Sequence, residues 1–198
     1  MARLFVLLSA LACAPAWADG ADYSYLDAGA TRLDSSVGPD SSGYEVDGGY
    51  ALNPNLHLFG DYRHDSFTGG LEANQAEAGI GYNTRLVSGC FNAADCSPAG
   101  KSGLDFIADL GYLHAGAQPD GTAGAGNGYA LRVGLRGIPT WNADFEFDGG
   151  WHYLHANFTE SLGYAAMLYR LSDHWAAGIG LESGNDYRLW NARLRYYF

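Results

Sequence analysis

Lysine is almost missing from this chain: Lys101 is the single one. With the arginines it makes 11 cations against 22 acids, a formal net charge of −11. No basic stripe exists to neutralise phosphates, which argues against nucleic acid as a partner. Long apolar runs are missing too. Beyond the first residues nothing approaches the roughly eighteen apolar residues of a membrane-spanning helix, so no such helix is expected. Helical periodicity is scarce because glycine, at 28 residues, interrupts every candidate. Cysteine is limited to Cys13, Cys90 and Cys96, with no histidine at metal-ligand spacing beside them, so neither a metal nor a cofactor is expected.

What is there begins with a leader. Arg3 is followed by the short apolar run Leu4 to Ala12, and Ala16-Trp17-Ala18 places small residues where a signal peptidase reads. Residues 1–18 are therefore expected to be a secretory signal for Sec export, and the mature domain to run over 19–198 from Asp19. A lipoprotein would acylate Cys13 instead, but Ala10-Leu11-Ala12-Cys13 fits that signal poorly. Cleavage removes one cation and no acid, moving the net charge from −11 to about −12. In an exported chain Cys90 and Cys96 are expected to form a disulfide closing a small loop. Free or metal-binding thiols are the alternative.

Alternation succeeds where helical spacing fails. Val46, Gly48, Tyr50 and Leu52 lie on one face, Glu45, Asp47, Gly49 and Ala51 on the other. The pattern recurs. Leu56, Leu58 and Tyr62 oppose His57, Asp61 and Arg63, although Phe59 breaks the polar face. Ala76, Ala78, Ile80 and Tyr82 oppose Gln75, Glu77, Gly79 and Asn83. Leu104, Phe106, Ala108, Leu110 and Tyr112 oppose Asp105, Ile107, Asp109 and Gly111. Tyr129, Leu131, Val133 and Leu135 oppose Arg132, Gly134 and Arg136. Phe145, Phe147, Trp151 and Tyr153 oppose Asp144, Glu146, Asp148 and His152. Leu162, Tyr164, Ala166 and Leu168 share a face, as do Trp175, Ala177, Ile179 and Leu181. A weaker first strand sets Leu26, Ala28 and Ala30 against Tyr25, Asp27 and Gly29. The terminal "LRYYF" ends one more strand: Trp190, Ala192, Leu194, Tyr196 and Phe198 face one way, Asn191, Arg193, Arg195 and Tyr197 the other.

This predicts about ten strands, each near the nine to eleven residues that cross a bilayer when tilted. Tight turns around Asn53-Pro54-Asn55, Ile138 to Asn142 and Leu171 to His174 fall on one side, with both termini. Longer connections fall on the other. Arg85 to Gly103, which holds both cysteines, is a long exception on the tight-turn side, and the Gly/Ala-rich Ala117 to Asn127 reads as mobile.

A soluble sandwich would turn the apolar faces inward; an outer-membrane barrel turns them to lipid and its polar faces to the lumen. The export signal, the charge or glycine on one face of the strands and the aromatics near strand ends favour the barrel. Those aromatics are Tyr44, Tyr62, Tyr82, Tyr112, Trp151, Tyr153, Trp175, Trp190 and Tyr196. The expected fold is an all-β, antiparallel up-and-down transmembrane barrel, monomeric, in contact with outer-membrane lipid and lipopolysaccharide.

The last strand, with Trp190, Leu194, Tyr196 and the terminal Phe198, resembles the insertion signal read by the barrel-assembly machinery of Gram-negative bacteria. "NPNLHLFGDY" (Asn53 to Tyr62), "AGIGYNTRL" (Ala78 to Leu86) and "VGLRG" (Val133 to Gly137) resemble a family of small gammaproteobacterial outer-membrane barrels. That family is typified by a xanthomonad protein once proposed as a plant-immunity activator and linked to quorum sensing. Gly89 to Gly100, with its cysteines, departs from the family pattern. The resemblance implies a barrel and no catalytic residue.

The expected inward face carries Glu45, Asp47, Asp61, Glu77, Asp105, Asp109, Asp144, Glu146, Asp148 and Glu182 with Arg63, Arg132, Arg136, Arg193 and Arg195. Such charges either line a pore or bridge one another and hold the lumen shut. An eight-stranded barrel is filled by its side chains and an aqueous channel needs roughly sixteen strands, so about ten favours the plugged lumen. The resulting reading is a non-enzymatic barrel for envelope structure or surface and host interaction. A narrow cation-preferring, porin-like channel is the alternative, and a surface hydrolase a remote one. Candidates for an omptin-like rim site are Asp61, His64, Asp65, His114 and His155, but their spacing matches no such pattern. His152 and His155 fall on opposite strand faces and cannot share a metal.

Overall fold

The computed structural model describes residues 22–88, 102–118, 125–139, 142 and 144–198. The signal, Cys90 and Cys96 lie outside the described residues. Ten strands run in chain order: β1 (Tyr25–Ser35), β2 (Ser41–Asn53), β3 (Leu56–Phe67), β4 (Glu72–Ser88), β5 (Gly103–Gln118), β6 (Gly126–Ile138), β7 (Phe145–His155), β8 (Thr159–Arg170), β9 (Trp175–Ser183) and β10 (Tyr187–Tyr197). Each pairs antiparallel with its sequence neighbours, and β1 pairs with β10 from Tyr25↔Tyr197 to Ser35↔Tyr187. The sheet is thus a closed barrel with no free edge, the sheet form that lipid tolerates.

β1 begins and β10 ends at one end, here the turn end, with the β2–β3, β4–β5, β6–β7 and β8–β9 connections. The opposite, loop end holds the β1–β2, β3–β4, β5–β6, β7–β8 and β9–β10 connections. The β3–β4 hairpin turns through Gly69 and Gly70 at φ +105° and +87°, left-handed backbone that glycine adopts without a Cβ clash. At the turn end β4 runs past β3: Leu56 pairs with Tyr82, while β4 continues beside β5 to Ser88. Bulges at Ala51/Asn53 and Arg85/Val87 both fall at this end, where extra residues re-aim the strands.

Alternation decides what the wall shows on each side. Leu26, Val46, Leu58, Ile80, Leu110, Leu135, Ile179 and Leu194 are exposed on the outer surface. The aromatics of the outer surface gather towards its two ends. Tyr44, Tyr62, Tyr129 and Tyr153 lie toward the loop end, and Phe147, Tyr169, Trp175 and Tyr196 toward the turn end. This apolar band between aromatic girdles is the outer surface of a transmembrane barrel.

One strand departs from expectation. Leu162, Tyr164, Ala166 and Leu168 of β8 face the lumen, and Gly163, Ala165, Met167 and Tyr169 face out. Directly opposed residues share a face, and here Leu168 opposes Glu146, Ala166 opposes Asp148 and Leu162 opposes His152. The neighbouring wall supplies the volume that these side chains fill. Tyr164 lies across Gly134, where a Cβ would collide with its hydroxyl, and Leu168 opposes Gly178.

Candidate functional site

Among the described residues, buried polar chemistry gathers in the lumen. At its turn end the organising group is the Glu146 carboxylate, fully buried. Arg136 donates from Nε at 2.9 Å and approaches through Nη2 at 2.6 Å. Arg195 donates from Nη1 at 2.8 Å, the Tyr197 hydroxyl donates at 3.0 Å, and Arg170 lies 3.6 Å away. Arg195 also forks onto Asp27, with Nε and Nη2 each 2.7 Å from a different carboxylate oxygen. Arg193 reaches both Asp27, at 3.5 Å, and Glu45, at 3.6 Å. Bidentate, charge-assisted contacts of this kind hold the planar guanidinium in one orientation. Aromatic faces complete the layer: Arg195 lies 3.9 Å from the Tyr25 centroid and Arg170 4.3 Å from that of Tyr197.

Asp22 to Ser24, the residues before β1, turn into this mouth. Tyr23 stacks on His57 at 4.8 Å, lies under Arg136 at 4.9 Å and donates its hydroxyl to Asp105 at 3.3 Å. It packs with Ile107 and Ala51 and is only 7% exposed. Arg136 Nη2 donates to the Asp22 carbonyl at 2.9 Å, which ties the segment to the Glu146 hub. Burial pushes the Asp22 carboxyl above its ordinary range, against the opposing pull of the Ser24 N–H and Arg136. His57 is itself fixed on both sides, with Nδ1 3.2 Å from Asn83 Oδ1 and Nε2 3.2 Å from Asp109. Arg85 pairs with Asp105 beside it.

The middle of the lumen is rich in acid. Asp47, Asp61 and Asp148 form no direct ion pair among the described residues, and they border a cavity of ≈ 50 Å³. Arg132 rests over the Tyr164 ring at 5.5 Å. Glu77 lies 3.2 Å from His152 Nε2, both almost fully buried. Towards the loop end the lining becomes apolar, with Leu113, Ala130, Leu154 and Leu162 packed together under Phe158 and Tyr187. Above them opens a vestibule of ≈ 450 Å³, walled by Leu33, Phe67 and Phe158, with Arg63 and Asp65 at its polar side. Arg63 Nε is 3.0 Å from Asp65, whose carboxylate also takes the Thr31 and Ser41 hydroxyls at 3.4 Å each.

Glu45, Asp47, Asp61, Arg63, Glu77, Asp105, Asp109, Arg132, Arg136, Glu146, Asp148, Glu182, Arg193 and Arg195 all stand on lumen-facing positions. Asp144 does not join them. It is exposed in the turn before β7, its N–H capped by Asn142 and its carbonyl taken by the Arg170 N–H, because the strand begins one residue later. Asp27, Arg170 and Tyr23 belong to the network but are not among the expected interior charges, whereas Tyr197 is on the face expected for Arg193 and Arg195. Asp27 lay on a weakly patterned strand. Arg170 was hidden by the misassigned face of β8, since it shares that face with Leu168. Tyr23 precedes any alternation. Trp190, Leu194, Tyr196 and Phe198 share the outward face of the last strand.

The rim candidates for hydrolysis are kept apart by the wall. Asp61 and Asp65 point inward, whereas His64, His114 and His155 lie outside on β3, β5 and β7. Each of these histidines faces a hairpin neighbour: Asn74 at 2.7 Å, Asn127 at 2.7 Å and Thr159 at 2.9 Å respectively. Among the described residues no three His, Cys, Asp or Glu side chains are grouped to hold a metal ion.

No family model and no curated protein matches this chain. Solved structures do resemble it. The KdgM porin, solved in complex with disordered oligogalacturonate, shares 12% identity over 88% of this chain and 99% of its own, with a TM-score of 0.46. Neisserial surface protein A shares 14% identity over 88% of this chain and 96% of its own, at a TM-score of 0.42. The attachment invasion locus protein Ail of Yersinia pestis shares 12% identity over 88% and 95%, at 0.40. The chain itself, through its closed ladder and apolar outer band, defines the class: an antiparallel β-barrel of the membrane-spanning kind.

Proposed function

We propose that this is an integral outer-membrane barrel of Gram-negative bacteria whose lumen is plugged, and that it serves envelope structure or surface and host interaction without catalysing a reaction. The observation that carries the reading is the cross-lumen network. Glu146 on β7 is tied to Arg136 on β6, Arg170 on β8 and Arg195 on β10, with Tyr23 laid over the mouth beneath. Arg195 reaches Glu146 from three strands away and Arg63 on β3 reaches Glu182 on β9 at 3.6 Å, so ion pairs span the lumen at two levels and support the plug. The chain works as a monomer, exported by the Sec pathway and inserted by the barrel-assembly machinery through its last strand.

The acid-rich middle supports a second reading, a narrow cation-preferring channel: Asp47, Asp61 and Asp148 offer carboxylates without direct ion pairs. Planar-bilayer conductance of the refolded mature protein separates the two. The plugged barrel gives heat-modifiable gel mobility and no steps. Reproducible cation-selective steps from the wild type would overturn the plug.

A further inference from the structure

Between the loop connections and the acid-rich middle of the lumen lies the vestibule of ≈ 450 Å³, a volume usual for sites that hold small molecules. Its floor is apolar and dry. Leu113, Ala130, Leu154 and Leu162 are at most 1% exposed, and Phe158 and Tyr187 pack against them. Leu33 of β1 and Phe67 of β3 line the well above that floor.

The charged side chains that line it, among the described residues, are Arg63, Asp65, Glu160 and Asp186. Arg63 is held by Asp65 at 3.0 Å and by Glu182, beneath, at 3.6 Å. Asp65 also takes the Thr31 and Ser41 hydroxyls. Asp186 lies in the β9–β10 connection, and Arg188, two residues on, faces the outside of the wall. Even with Asp186 set against Arg188, Arg63 is outnumbered by Asp65, Glu182 and Glu160, so the well keeps a net negative charge. Glu160 is the acid left over. It stands on the lumen face of β8 directly opposite Leu154, half-buried. The Tyr187 hydroxyl donates to its Oε2 at 2.8 Å. Among the described residues it makes no ion pair, and Oε1 accepts no hydrogen bond. A carboxylate that served only solubility would stand free in water at the rim. This one is fixed by a phenol beside an apolar floor.

We infer that the well binds a small organic cation, an ammonium group carried on an apolar body. The ammonium donates to Glu160, which Tyr187 holds in place, and the body lies on the Leu154 and Leu162 floor against Phe158, Phe67 and Leu33. Both halves of the ligand are required. A purely apolar molecule would strip water from the carboxylate and leave it without a partner, which is costly. An inorganic cation would gain nothing from the floor, and an anion would meet the net negative charge. The site goes beyond the plugged-barrel reading: it shares with it the inserted barrel, and it stands whether or not the lumen beneath conducts.

The test uses the full mature chain refolded into nanodiscs of zwitterionic lipid, with leucine methyl groups labelled for NMR. Heat-modifiable mobility is read first, and a wild type without it would overturn the inserted barrel and the site together. The protein is then titrated with phenylbutylamine, with its neutral analogue phenylbutanol and with phenylbutyrate. The expected result is a saturable shift of Leu33, Leu154 and Leu162 by the amine, while Leu58 and Leu110 on the lipid face stay where they are. The alcohol should bind about tenfold more weakly, and the carboxylate more weakly still. Glu160→Gln should bring the amine down to the affinity of the alcohol, and Phe158→Ala should weaken both. The comparison of the three probes is made on the wild type, so it holds even where a variant fails to fold. Shifts confined to Leu58 and Leu110 would mean partition into the bilayer and would overturn the site. Equal binding of amine and alcohol, or an amine affinity unchanged by Glu160→Gln, would overturn it as well.

Discussion

Glu146 shows how one residue can hold a lumen shut. Its carboxylate is shared among three arginines and a tyrosine hydroxyl drawn from three other strands. Taking a carboxylate out of water is expensive, and this arrangement offsets the cost only because both of its oxygens are contacted. Glu146→Gln keeps the shape and removes the charge, leaving three buried guanidinium groups around a neutral amide. Breaking a buried pair in this way costs about 3–5 kcal/mol. Urea unfolding of the vesicle-inserted protein should show that loss, and a change under about 1 kcal/mol would mean that water already screens the site. Tyr23 is the complementary case. It binds the mouth without belonging to the barrel ladder, so Tyr23→Ala should leave heat-modifiable mobility intact and shorten the plug. Intermittent conductance in that variant, absent from the wild type, would place the seal at the turn end. A silent variant would leave the Glu146 layer as a sufficient barrier.

At the scale of the element, β8 is the instructive strand. Its outward residue Met167, exposed among lipid-facing neighbours, should tolerate a charge poorly: Met167→Arg should destabilise, though by less than the roughly 2–4 kcal/mol expected of Ile80→Arg near the midplane, because Met167 opposes Phe147 of the turn-end girdle. No loss at Met167 would return that position to water and reverse the strand. Sequence alone made nine of the ten apolar faces legible, because on those strands charge or glycine marks the other side. On β8 both faces are short of charge, and hydrophobicity favoured the wrong one. What decides its orientation is volume: leucines and a tyrosine fill lumen space that glycines of β6 and β9 leave open in the neighbouring wall. That complementarity joins side chains of three different strands, so no single strand records it. The same limit hid the role of Asp27, legible only once β1 is laid beside β10. Alternation fixes which residues share a wall even where it cannot say who bonds to whom.

The whole molecule depends on the seam that joins its first strand to its last. Tyr25 to Ser35 pair residue by residue with Tyr197 back to Tyr187, and the end of the chain is fastened twice more. The Tyr197 N–H donates to the His174 carbonyl at 2.8 Å and the Phe198 N–H to the Ser24 carbonyl at 3.3 Å. Removing residues 194–198 would therefore act on three levels together. It strips the ladder partners from Tyr25 to Ala28 and opens a sheet edge, which lipid does not tolerate. It deletes Arg195 and Tyr197, and with them the fork on Asp27 and half of the donors to Glu146. It also removes Leu194, Tyr196 and Phe198 from the lipid face. The truncated chain should fail to gain heat-modifiable mobility when refolded into lipid without any assembly factor. Deletion of Phe198 alone keeps Arg195, Tyr197 and every β1–β10 pair, and should still close in the same assay. If the longer truncation closed equally well, the seam would be dispensable and barrel closure would have to reside in the β2 to β9 ladder. If the single deletion failed, the terminal aromatic would be acting on folding itself rather than as an address for insertion.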